Sequence, residues 1–582
     1  MQKTIKRRQP DLQSLPELIH YPPLLKRVFA NRQVTSEAEL DYRFANLLDP
    51  QQLKGIQAAC SLLNQALKEQ WSILVVGDFD ADGATSSALA VSALKAMGAA
   101  SVDFLVPNRF QFGYGLTPEI VEVAAQRSPQ LIVTVDNGIS SLDGVVRANE
   151  LGIAVLVTDH HLPGAELPKA AAIVNPNQPG CTFASKNLAG VGVIFNVLVA
   201  LRAQLRADGW FAKQGIAEPN LADYLDLVAL GTVADVVPLD ANNRLLIHQG
   251  LARIRAGKAR PGIAAMIEIA GRDAKRLVAA DLGFIVGPRL NAAGRLDDMS
   301  LGIRCLLSDD PFQARELAGE LNDLNQDRRA IEASMQKEAL ASLADINLGE
   351  VESTPWGLCL YQPQWHQGVV GILASRIKER FHRPVIAFAD SDAGNEIKGS
   401  ARSIPGLHIR DALDRVASSH PGLISKFGGH AMAAGLSISK AKFPQFAKAF
   451  DQTVRELLSA DDLSEAIWSD GELLGEEFNL PLAEAIRNAG PWGQAFPEPL
   501  FDGEFQLVQS RLVSGKHLKM VVAPVTGGQP LIDAIAFNVD TDQWPNAGVE
   551  RVHMVYQLEV NEYRGQQSVQ LLVRHLWPAN VA

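Results

Sequence analysis

The stretch Val76-Gly-Asp-Phe-Asp-Ala-Asp-Gly83 places three carboxylates directly behind the apolar run Ile73–Val76. Two further runs, Leu131–Val135 and Ala154–Val157, are also rich in β-branched and apolar residues and are separated by helical stretches. Short apolar runs without polar alternation are typical of buried parallel strands in an α/β fold. We therefore predict a parallel sheet, and ligands of such sheets bind at the carboxyl ends of the strands.

Three more segments with acidic or imidazole side chains also follow short β-branched runs, namely Thr134-Val-Asp-Asn-Gly138, Thr158-Asp-His-His161 and Gly231-Thr-Val-Ala-Asp235. If each run is a strand of one parallel sheet, its polar side chains lie at the same edge. The residues predicted to converge there are Asp78, Asp80, Asp82, Asp136, Asp159, His160, His161 and Asp235.

This set of side chains predicts a site for two divalent metal ions. Carboxylates are the ligands of hard ions such as Mg²⁺ and Mn²⁺, and an added imidazole favours Mn²⁺. Taken singly, Asp136 could start a turn and Asp235 could cap the next segment. A calcium loop is a further alternative for the first segment, but it needs a glutamate at the twelfth position, where this chain has Leu89.

Asp159-His160-His161 resembles the signature of the Asp-His-His (DHH) phosphoesterases, and the other three segments resemble that superfamily's remaining metal motifs. Further along the chain, five segments resemble motifs of the single-strand-specific exonucleases in that superfamily. They are Gly287–Asp297, Trp365–Arg376, Lys398–Ile404, Lys426–Gly435 and Gly490–Leu500. The resemblance runs from about residue 20 to the end.

The resemblance implies a division of the site residues. Asp78, Asp80 and Asp136 would hold one metal ion, and the second would be held by Asp82, Asp136, His160 and Asp235. Asp136 would bridge the two ions. His161 would face the scissile phosphate, and Asp159 would orient an imidazole. The ions would be Mn²⁺ or Mg²⁺.

The remaining candidate residues would bind substrate. In the second α/β domain, glycines would let the backbone approach a phosphate closely and cations would pair with it. On the last domain, basic and aromatic side chains would track a single strand. The predicted substrate-binding residues are Arg109, Tyr114, Arg289, Asn291, Arg295, His366, Arg376, Lys398, Ser400, Arg402, Gly428, Gly429, His430, Lys516, Lys519 and Arg564. Arg289, Asn291 and Arg295 are expected in an irregular segment.

We predict an α/β protein with a parallel-sheet DHH domain, a long connecting helix, a second α/β domain of the DHHA1 type and a carboxyl-terminal β-barrel of the oligonucleotide-binding (OB) type. The length of 582 residues is too great for one core. The expected segments are an amino-terminal arm (1–50), the metal-binding domain (51–310), the helix (311–347), the DHHA1 domain (350–455) and the barrel (465–582).

Composition narrows the class of protein further. The 54 basic and 65 acidic residues give a formal charge of −11, which argues mildly against a protein that coats nucleic acid non-specifically. Four cysteines without paired spacing predict a reduced cytosol, and the basic residues 1–8 do not lead into the apolar stretch of a secretory signal. No run is expected to match the roughly 18 apolar residues of a membrane span.

The resemblance implies a cytoplasmic exonuclease that degrades single-stranded DNA from the 5′ end, acts in recombination and repair, and cooperates as a monomer with a helicase and a single-strand-binding protein. A rival is a phosphoesterase for nanoRNA, cyclic dinucleotides or pyrophosphate, although such a ligand requires neither this length nor the barrel. A second rival is a non-catalytic DNA-binding replication factor, which could dispense with the metal ligands that this sequence retains.

Overall fold

The structure is a computed structural model. It describes residues 4–9, 18–108, 112, 115–344, 355–391, 394–525, 530–546, 548–563 and 565–579, without the side chains of residues 344 and 563.

The strands of the described part of the chain are β1 (Thr4–Arg7), β2 (Ser72–Gly77), β3 (Ser101–Leu105), β4 (Leu131–Val135), β5 (Ala154–Thr158), β6 (Ala172–Val174), β7 (Leu358–Tyr361), β8 (Val385–Asp390), β9 (Glu396–Arg402), β10 (Lys426–Gly429), β11 (Ala433–Ser439), β12 (Ala466–Ser469), β13 (Phe501–Val513), β14 (His517–Pro524), β15 (Ile532–Ala536), β16 (Arg551–Tyr563) and β17 (Gln566–Pro578).

The α-helices are α1 (Pro23–Ala30), α2 (Ile56–Lys68), α3 (Ala81–Ala96), α4 (Pro118–Ala125), α5 (Leu142–Glu150), α6 (Gly190–Ala207), α7 (Trp210–Gln214), α8 (Leu225–Ala234), α9 (Ala241–Arg255), α10 (Pro261–Ile269), α11 (Ala279–Asp281), α12 (Gly287–Leu296), α13 (Ser300–Leu307), α14 (Pro311–Ala344), α15 (Val370–Phe381), α16 (Ile409–Ser419), α17 (Phe443–Leu457) and α18 (Leu480–Asn488).

The chain folds into two compact units. One contains Arg7–Asn322 and the described residues from Trp468 onward, and the other contains the described residues up to Lys6 together with Asp323–Ile467. The long helix α14 therefore contributes to both units.

The first unit contains a parallel sheet with the strand order β3-β2-β4-β5-β6. The predicted strands are confirmed, and β4 is buried at every position. The chain moves from β2 to β3 on one side and then crosses to β4 on the other side of β2. The carboxyl ends of β2 and β4 therefore flank the point where the direction of winding reverses, which is where sheets of this kind bind ligands.

Helix α6 corrects the expectation that no segment has the length and hydropathy of a membrane span. Its 18 residues have a mean hydropathy of 1.3, and 67% of that window is buried inside the protein. The helix packs against α2, α3 and α8. Such burial is typical of the core helix of a soluble domain, which passes the same test of length and composition.

Two predicted local structures are wrong. Asp235 does not follow a strand, because Leu225–Ala234 is the helix α8, whose residues from Leu225 to Thr232 are all buried. The segment around Arg289, Asn291 and Arg295 is not irregular, because it forms the helix α12 behind a π-helical turn, Leu282–Val286.

The second unit contains a mixed sheet with the order β10-β11-β9-β8-β7. Phe388 on β8 and Ile438 on β11 belong to a core that includes Ala412 on α16 and Phe446 on α17. This core covers one face of the sheet. Helix α15 packs against β8 and β9 as well.

The last five strands form a closed barrel in the order β13-β14-β15-β17-β16, and β13 also pairs with β16. The predicted five-stranded barrel is thus confirmed. Closure removes the exposed strand edges that an open sheet of this size would present.

The segment Gly490–Leu500 connects the barrel with the rest of the first unit. The backbone N–H of Leu239 donates to the Gln494 carbonyl at 2.8 Å, and the Arg32 guanidinium donates to the Pro497 carbonyl at 2.7 Å. The Arg244 guanidinium lies 4.2 Å from the centre of the Phe496 ring. We call Gly490–Leu500 the clasp.

Candidate metal centre

The loop after β2 holds three carboxylates in a fixed turn. Asp80 caps α3 by accepting a hydrogen bond from the Gly83 N–H at 3.0 Å. The Asn291 side chain accepts from the Ala81 N–H at 2.8 Å. A side chain at Gly83 would place its Cβ only 2.4 Å from the Asp78 carbonyl oxygen, so this tight turn requires glycine.

Asp136 follows β4 and is 1% exposed. Its φ of 62° lies in the left-handed region, which is uncommon for a residue other than glycine. A Cβ built on Gly190 would lie 2.5 Å from the Asp136 Cβ, so the first residue of α6 must be glycine for Asp136 to occupy this place. The sequence reasoning missed Gly190 because its neighbour lies far away in the chain.

Asp82 is fully buried and lies against the amino terminus of α6. Its two oxygens accept hydrogen bonds from the N–H groups of Gly190, at 2.5 Å, and Val191, at 2.9 Å. These N–H groups have no partner inside the helix, and the helix dipole favours a negative charge there. Asp82 is thereby fixed in orientation although it is deeply buried.

One carboxylate, that of Asp159, holds the turn after β5 that carries His160 and His161. Asp159 accepts hydrogen bonds from the backbone N–H groups of His160 and His161 and lies 2.8 Å from Nδ1 of His161. Its other oxygen accepts from the Ile139 N–H at 2.9 Å. Asp159 therefore has its oxygens engaged in positioning the turn, and the predicted orienting role agrees with these contacts.

Two asparagines hold the backbone of the same turn. The Asn175 side chain donates to the His161 carbonyl at 2.9 Å, and the Asn177 side chain donates to the His160 carbonyl at 2.6 Å. Sequence reasoning missed both residues, which follow the edge strand β6. Their one signal is the polar pair Asn175-Pro-Asn177 directly behind a short apolar run.

The structure brings the predicted ligands together in three overlapping groups, each with its ligand atoms within 4.8 Å of one another. The groups are Asp78–Asp80–Asp136, Asp82–His160–Asp235 and Asp136–His160–His161. Nε2 of His160 lies 3.1 Å from an Asp136 oxygen and 3.4 Å from an Asp235 oxygen, so the groups are contiguous.

The donor set fits hard divalent cations. Nε2 of His160 and one Asp235 oxygen are buried and have no hydrogen-bond partner among the described residues. Buried polar atoms are normally satisfied, so two of them pointing at each other indicate a missing partner. A cation that accepts both a neutral imidazole and carboxylates would satisfy them.

The pKa values of the buried groups describe the same crowding of negative charge. Burial, and then the charges of Asp82 and Asp80, raise the pKa of Asp136 well above its usual value. Burial and the charge of Asp235 raise the pKa of Asp82 to about 7. Burial lowers the pKa of His160, which keeps its imidazole neutral and able to act as a ligand.

Comparison with known proteins agrees with this site. The DHH family, N-terminal domain, matches residues 72–232, the DHHA1 domain matches residues 356–456, and the RecJ OB domain matches residues 469–575. The single-stranded-DNA-specific exonuclease RecJ of Dickeya dadantii is 60% identical over 573 residues, covering 98% of this chain and 99% of that protein. The chain belongs to the RecJ family.

Other RecJ proteins support the assignment. The Escherichia coli protein is 58% identical, covering 96% of each chain. A crystal structure of Thermus thermophilus RecJ in complex with Mn²⁺ is similar with a TM-score of 0.79 and 29% identity, covering 99% of this chain and 80% of that one. The Mg²⁺ complex of the same protein has a TM-score of 0.74 at 27% identity. Either ion thus suits a site of the RecJ family, as predicted.

The predicted substrate-binding residues of the first unit lie in different surroundings. Arg289 is 9% exposed and donates to the Ile285 carbonyl, and Asn291 holds the Ala81 backbone, so both have clear roles inside the protein. Arg295 is partly exposed on α12. The predicted substrate residues Arg109, Tyr114 and Arg564 lie outside the described residues.

In the second unit of this RecJ-family protein, several predicted residues share one sheet face. Gly428 pairs with Gly435, and Gly435 pairs with Ser400, so these three small residues lie side by side. Lys398, Ser400 and Arg402 are spaced two residues apart on β9, so their side chains point to the same side of the sheet. A Cβ at Gly371 on α15 would lie 2.8 Å from the Arg402 guanidinium.

Burial lowers the pKa of Arg402. No carboxylate among the residues that the structure describes acts on its guanidinium, and burial alone shifts this pKa. The Arg402 guanidinium donates a hydrogen bond to the Ala401 carbonyl at 2.8 Å. A partly buried cation without an acidic partner is suited to an anionic ligand.

The remaining candidates of this unit have other surroundings. Arg376 donates to Glu332 at 2.9 Å and is paired with Glu379, so acidic partners already neutralise its charge. Nδ1 of His366 accepts from the Gly368 N–H at 3.1 Å. Gly429 has a φ of 145°, and its Cβ would lie 2.5 Å from the Ala433 carbonyl oxygen, which gives it a role in the turn before β11. His430 is exposed.

On the barrel, Lys516 is exposed in the turn between β13 and β14. Lys519 lies on β14, 3.4 Å from the Asp533 carboxylate. The exposed Phe537 packs edge-on against His517 with ring centres 4.9 Å apart. The barrel therefore presents cations and an aromatic ring together on β14 and its neighbours.

Proposed function

We propose that this protein is a metal-dependent exonuclease that hydrolyses single-stranded DNA from the 5′ end. The observation that carries the proposal is the junction of two metal-binding groups at Asp136 and His160, in a chain of the RecJ family. Relatives at up to 60% identity are single-stranded-DNA-specific exonucleases. The 5′ polarity rests on the family resemblance of the sequence motifs.

The ligand assignment is part of this proposal. Asp78, Asp80 and Asp136 would hold one ion, and Asp82, Asp136, His160 and Asp235 would hold the other. When two Mn²⁺ or Mg²⁺ ions are bound, they supply Lewis acidity and a nucleophile for in-line displacement at a phosphodiester. The protein contributes a rigid ligand set, because α6 fixes the carboxylate of Asp82 while Asn177 and Asp159 hold the backbone of His160.

His161 is the proposed partner of the reacting phosphate. Its Nδ1 lies 2.8 Å from Asp159, and its Nε2 would donate a proton or a hydrogen bond to a phosphate oxygen. Burial lowers the pKa of His161, but the hydrogen bond and charge of Asp159 outweigh burial and raise the pKa to about 9. The buried carboxylate thus holds the proton on the imidazole.

The sheet face of the second unit that carries Gly428, Gly435, Ser400, Arg402 and Lys398 is proposed to bind strand phosphates. Gly428, Gly435 and Ser400 leave the backbone open to a close approach, since a Cβ on either glycine would meet nothing within 4 Å. Arg402 supplies a fork of N–H donors beside them. Lys398, which is exposed on the same face, adds charge.

The barrel is proposed to hold longer strands. Base stacking on exposed rings such as Phe537 and phosphate pairing with Lys516 are the interactions by which OB domains bind single strands. The proposed functional divisions are the amino-terminal arm (1–50), the metal-binding domain (51–310), the connecting helix (311–347), the DHHA1 domain (350–455) and the barrel (465–582). A monomer in the cytoplasm that cooperates with a helicase and a single-strand-binding protein completes the proposal.

A small-substrate phosphoesterase is the main alternative, because the metal centre alone does not select polymeric DNA. The closed barrel and the clasp favour a polymer, since neither is required for a dinucleotide. A non-catalytic DNA-binding factor is disfavoured because the side chains expected as ligands are all present and adjacent.

The experiment is hydrolysis of oligonucleotides labelled at either end, in single-stranded and duplex form, with Mn²⁺ or Mg²⁺. The proposal expects mononucleotides released first from the 5′ end of single strands, and much slower cleavage of duplexes. Preferential hydrolysis of dinucleotides would support the small-substrate alternative. Binding of single strands without hydrolysis in either metal would support the non-catalytic one.

A further inference from the structure

The π-helical turn Leu282–Val286 and helix α12 run alongside the metal centre. A Cβ at Gly283 would lie 3.1 Å from the Val233 side chain, and one at Gly287 would lie 3.1 Å from the Ala234 Cβ. Val233 and Ala234 are the last residues of α8 before Asp235. The turn is therefore pressed against the backbone that carries a candidate ligand.

The same element reaches the acidic loop at its other end. Asn291 accepts from the Ala81 N–H at 2.8 Å, and a Cβ at Gly294 would lie 1.8 Å from the Phe79 carbonyl oxygen. The positions 283, 287, 291 and 294 thus form one face that follows the metal centre from Asp235 to the loop after β2. Spacing of three and four residues is what places side chains on one helix face.

Phe284 lies next to this face and is 77% exposed. A ring with this exposure contributes little to packing inside the unit, and π-helical turns inside helical sequence are frequent at functional sites. Val236, directly after Asp235, is also exposed, at 62%, although its φ of 62° is costly for a β-branched residue. Both exposed side chains are chain neighbours of residues at the end of α8: Val236 follows Asp235, and Phe284 follows Gly283, which packs against Val233.

Phe284 and Arg295 stand near opposite ends of the element Leu282–Leu296. Arg295 is partly exposed. An aromatic ring at one end and a guanidinium at the other suit a nucleotide chain, which offers both bases and phosphates.

We infer that Phe284 is a base-stacking residue that positions a nucleotide of the substrate strand beside the metal centre. The inference rests on the proposed function and deepens it, because it names the nucleobase, and not only the phosphate, as a group that the catalytic unit recognises. Stacking on phenylalanine is sequence-tolerant, since every base has a π-face. It therefore suits an enzyme that must degrade any sequence.

The test uses the full-length protein and a series of single-stranded oligonucleotides, each with one abasic nucleotide at a different position from the 5′ end. Removal of the stacked base should slow cleavage by the wild type about tenfold at one position of the series, within the range for base stacking. Phe284→Ala should cleave the intact strand correspondingly slowly and lose this positional effect. Phe284→Tyr should keep it.

The matched control is Phe312→Ala. Phe312 is 85% exposed on α14 in the same unit, and it lies outside the element Leu282–Leu296. This variant should show the wild-type abasic profile. Since both phenylalanines are exposed, neither substitution should change the melting temperature.

Two results would overturn the inference. One is a wild type that cleaves single strands equally fast whichever base is removed, and the other is a Phe284→Ala variant with the wild-type profile. A wild type that does not degrade single-stranded DNA at all would instead overturn the proposed function, so the two failures are distinguishable.

Discussion

Gly190 is the residue on which the position of Asp136 depends. Asp136 occupies a left-handed backbone conformation, and the absence of a side chain at Gly190 makes room for its Cβ. Such strain persists only where the surrounding structure enforces it, and it clusters at functional sites.

We expect Gly190→Ala to displace Asp136 and to lower turnover at least a hundredfold, because the new Cβ would lie 2.5 Å from that of Asp136. The fold should survive, with a loss of about 1–3 kcal/mol in the free energy of unfolding for an overpacked site. Gly192→Ala is the control on the same helix, since its Cβ would meet only the flexible Leu188 side chain, at 3.1 Å. Equal turnover of the two variants would refute this dependence.

His160 and His161 are adjacent but should fail in different ways. His161→Ala is expected to keep its bound metal and to lose roughly a hundredfold in turnover, the range for a positioned proton donor. His160→Ala should lose bound metal, because Nε2 of His160 lies between Asp136 and Asp235. Elemental analysis beside steady-state kinetics makes the comparison. Loss of metal from the His161 variant would make His161 a ligand.

At the scale of a single strand, β16 contains a carboxyl group that destabilises the folded state at neutral pH. Burial, and then the charge of Glu498, raise the pKa of Glu559 to about 7, and Arg574 offsets this only partly. Since a glutamate in the unfolded chain titrates near 4.3, the folded chain binds more protons between these two values. The contribution of this group to stability therefore falls as the pH rises from about 4.5 to 7.

Glu559→Gln should consequently raise the melting temperature at pH 8, and the gain should vanish as the pH approaches 4.5. Glu562→Gln on the same strand is the opposing control, because the hydrogen bond with Arg276 lowers the pKa of Glu562. That variant should not be stabilised. Thermal melting from pH 4.5 to pH 8 makes the measurement, and a pH-independent gain for the Glu559 variant would contradict the titration argument.

The elements also show what sequence could and could not predict. β2, β4 and β5 were predictable because a strand buried on both faces needs an uninterrupted apolar run. Gly231-Thr-Val-Ala suggested a strand by composition, but helix α8 is buried almost all round, so its apolar residues show no helical periodicity. The glycines and the proline of α12 suggested a loop, whereas two of those glycines serve close contacts with Ala234 and Phe79.

The sequence predicts the metal ligands of the site but not the residues that hold those ligands in place. Carboxylates and histidines that directly follow a predicted strand can be recognised in the sequence. The contacts that aim them, such as Gly190 against Asp136 and Asn175 against His161, join segments that are distant in the chain. No local pattern reports such tertiary contacts, and only the folded chain reveals them.

At the scale of the whole molecule, the barrel and the metal-binding sheet belong to one unit that buried charges hold together. Asp470, which is 1% exposed, accepts two hydrogen bonds from Arg32 and one from Asn31. Asp470→Asn should destabilise this unit by about 3–5 kcal/mol, because it leaves the buried Arg32 charge without its partner. Asp540→Asn, at an exposed site, is the control.

The destabilisation should appear as one cooperative transition in calorimetry. Two separate transitions, of which only one moves, would show that the barrel and the metal-binding sheet unfold independently. A chain that ends near Ser459 would lack Asp470 and the clasp, so it should be less stable than the full-length protein in its metal-binding sheet as well.

The central claim is that one carboxylate, Asp136, joins two metal ions into a single hydrolytic centre. The most direct test counts Mn²⁺ bound per chain by calorimetry and elemental analysis, for the wild type and for Asp136→Ala, together with turnover on a single-stranded oligonucleotide. We expect two ions in the wild type, fewer than one in the variant, and a turnover loss of at least about a thousandfold, or roughly 4 kcal/mol. A variant that retains two ions, or whose turnover stays within tenfold of the wild type, would contradict the claim.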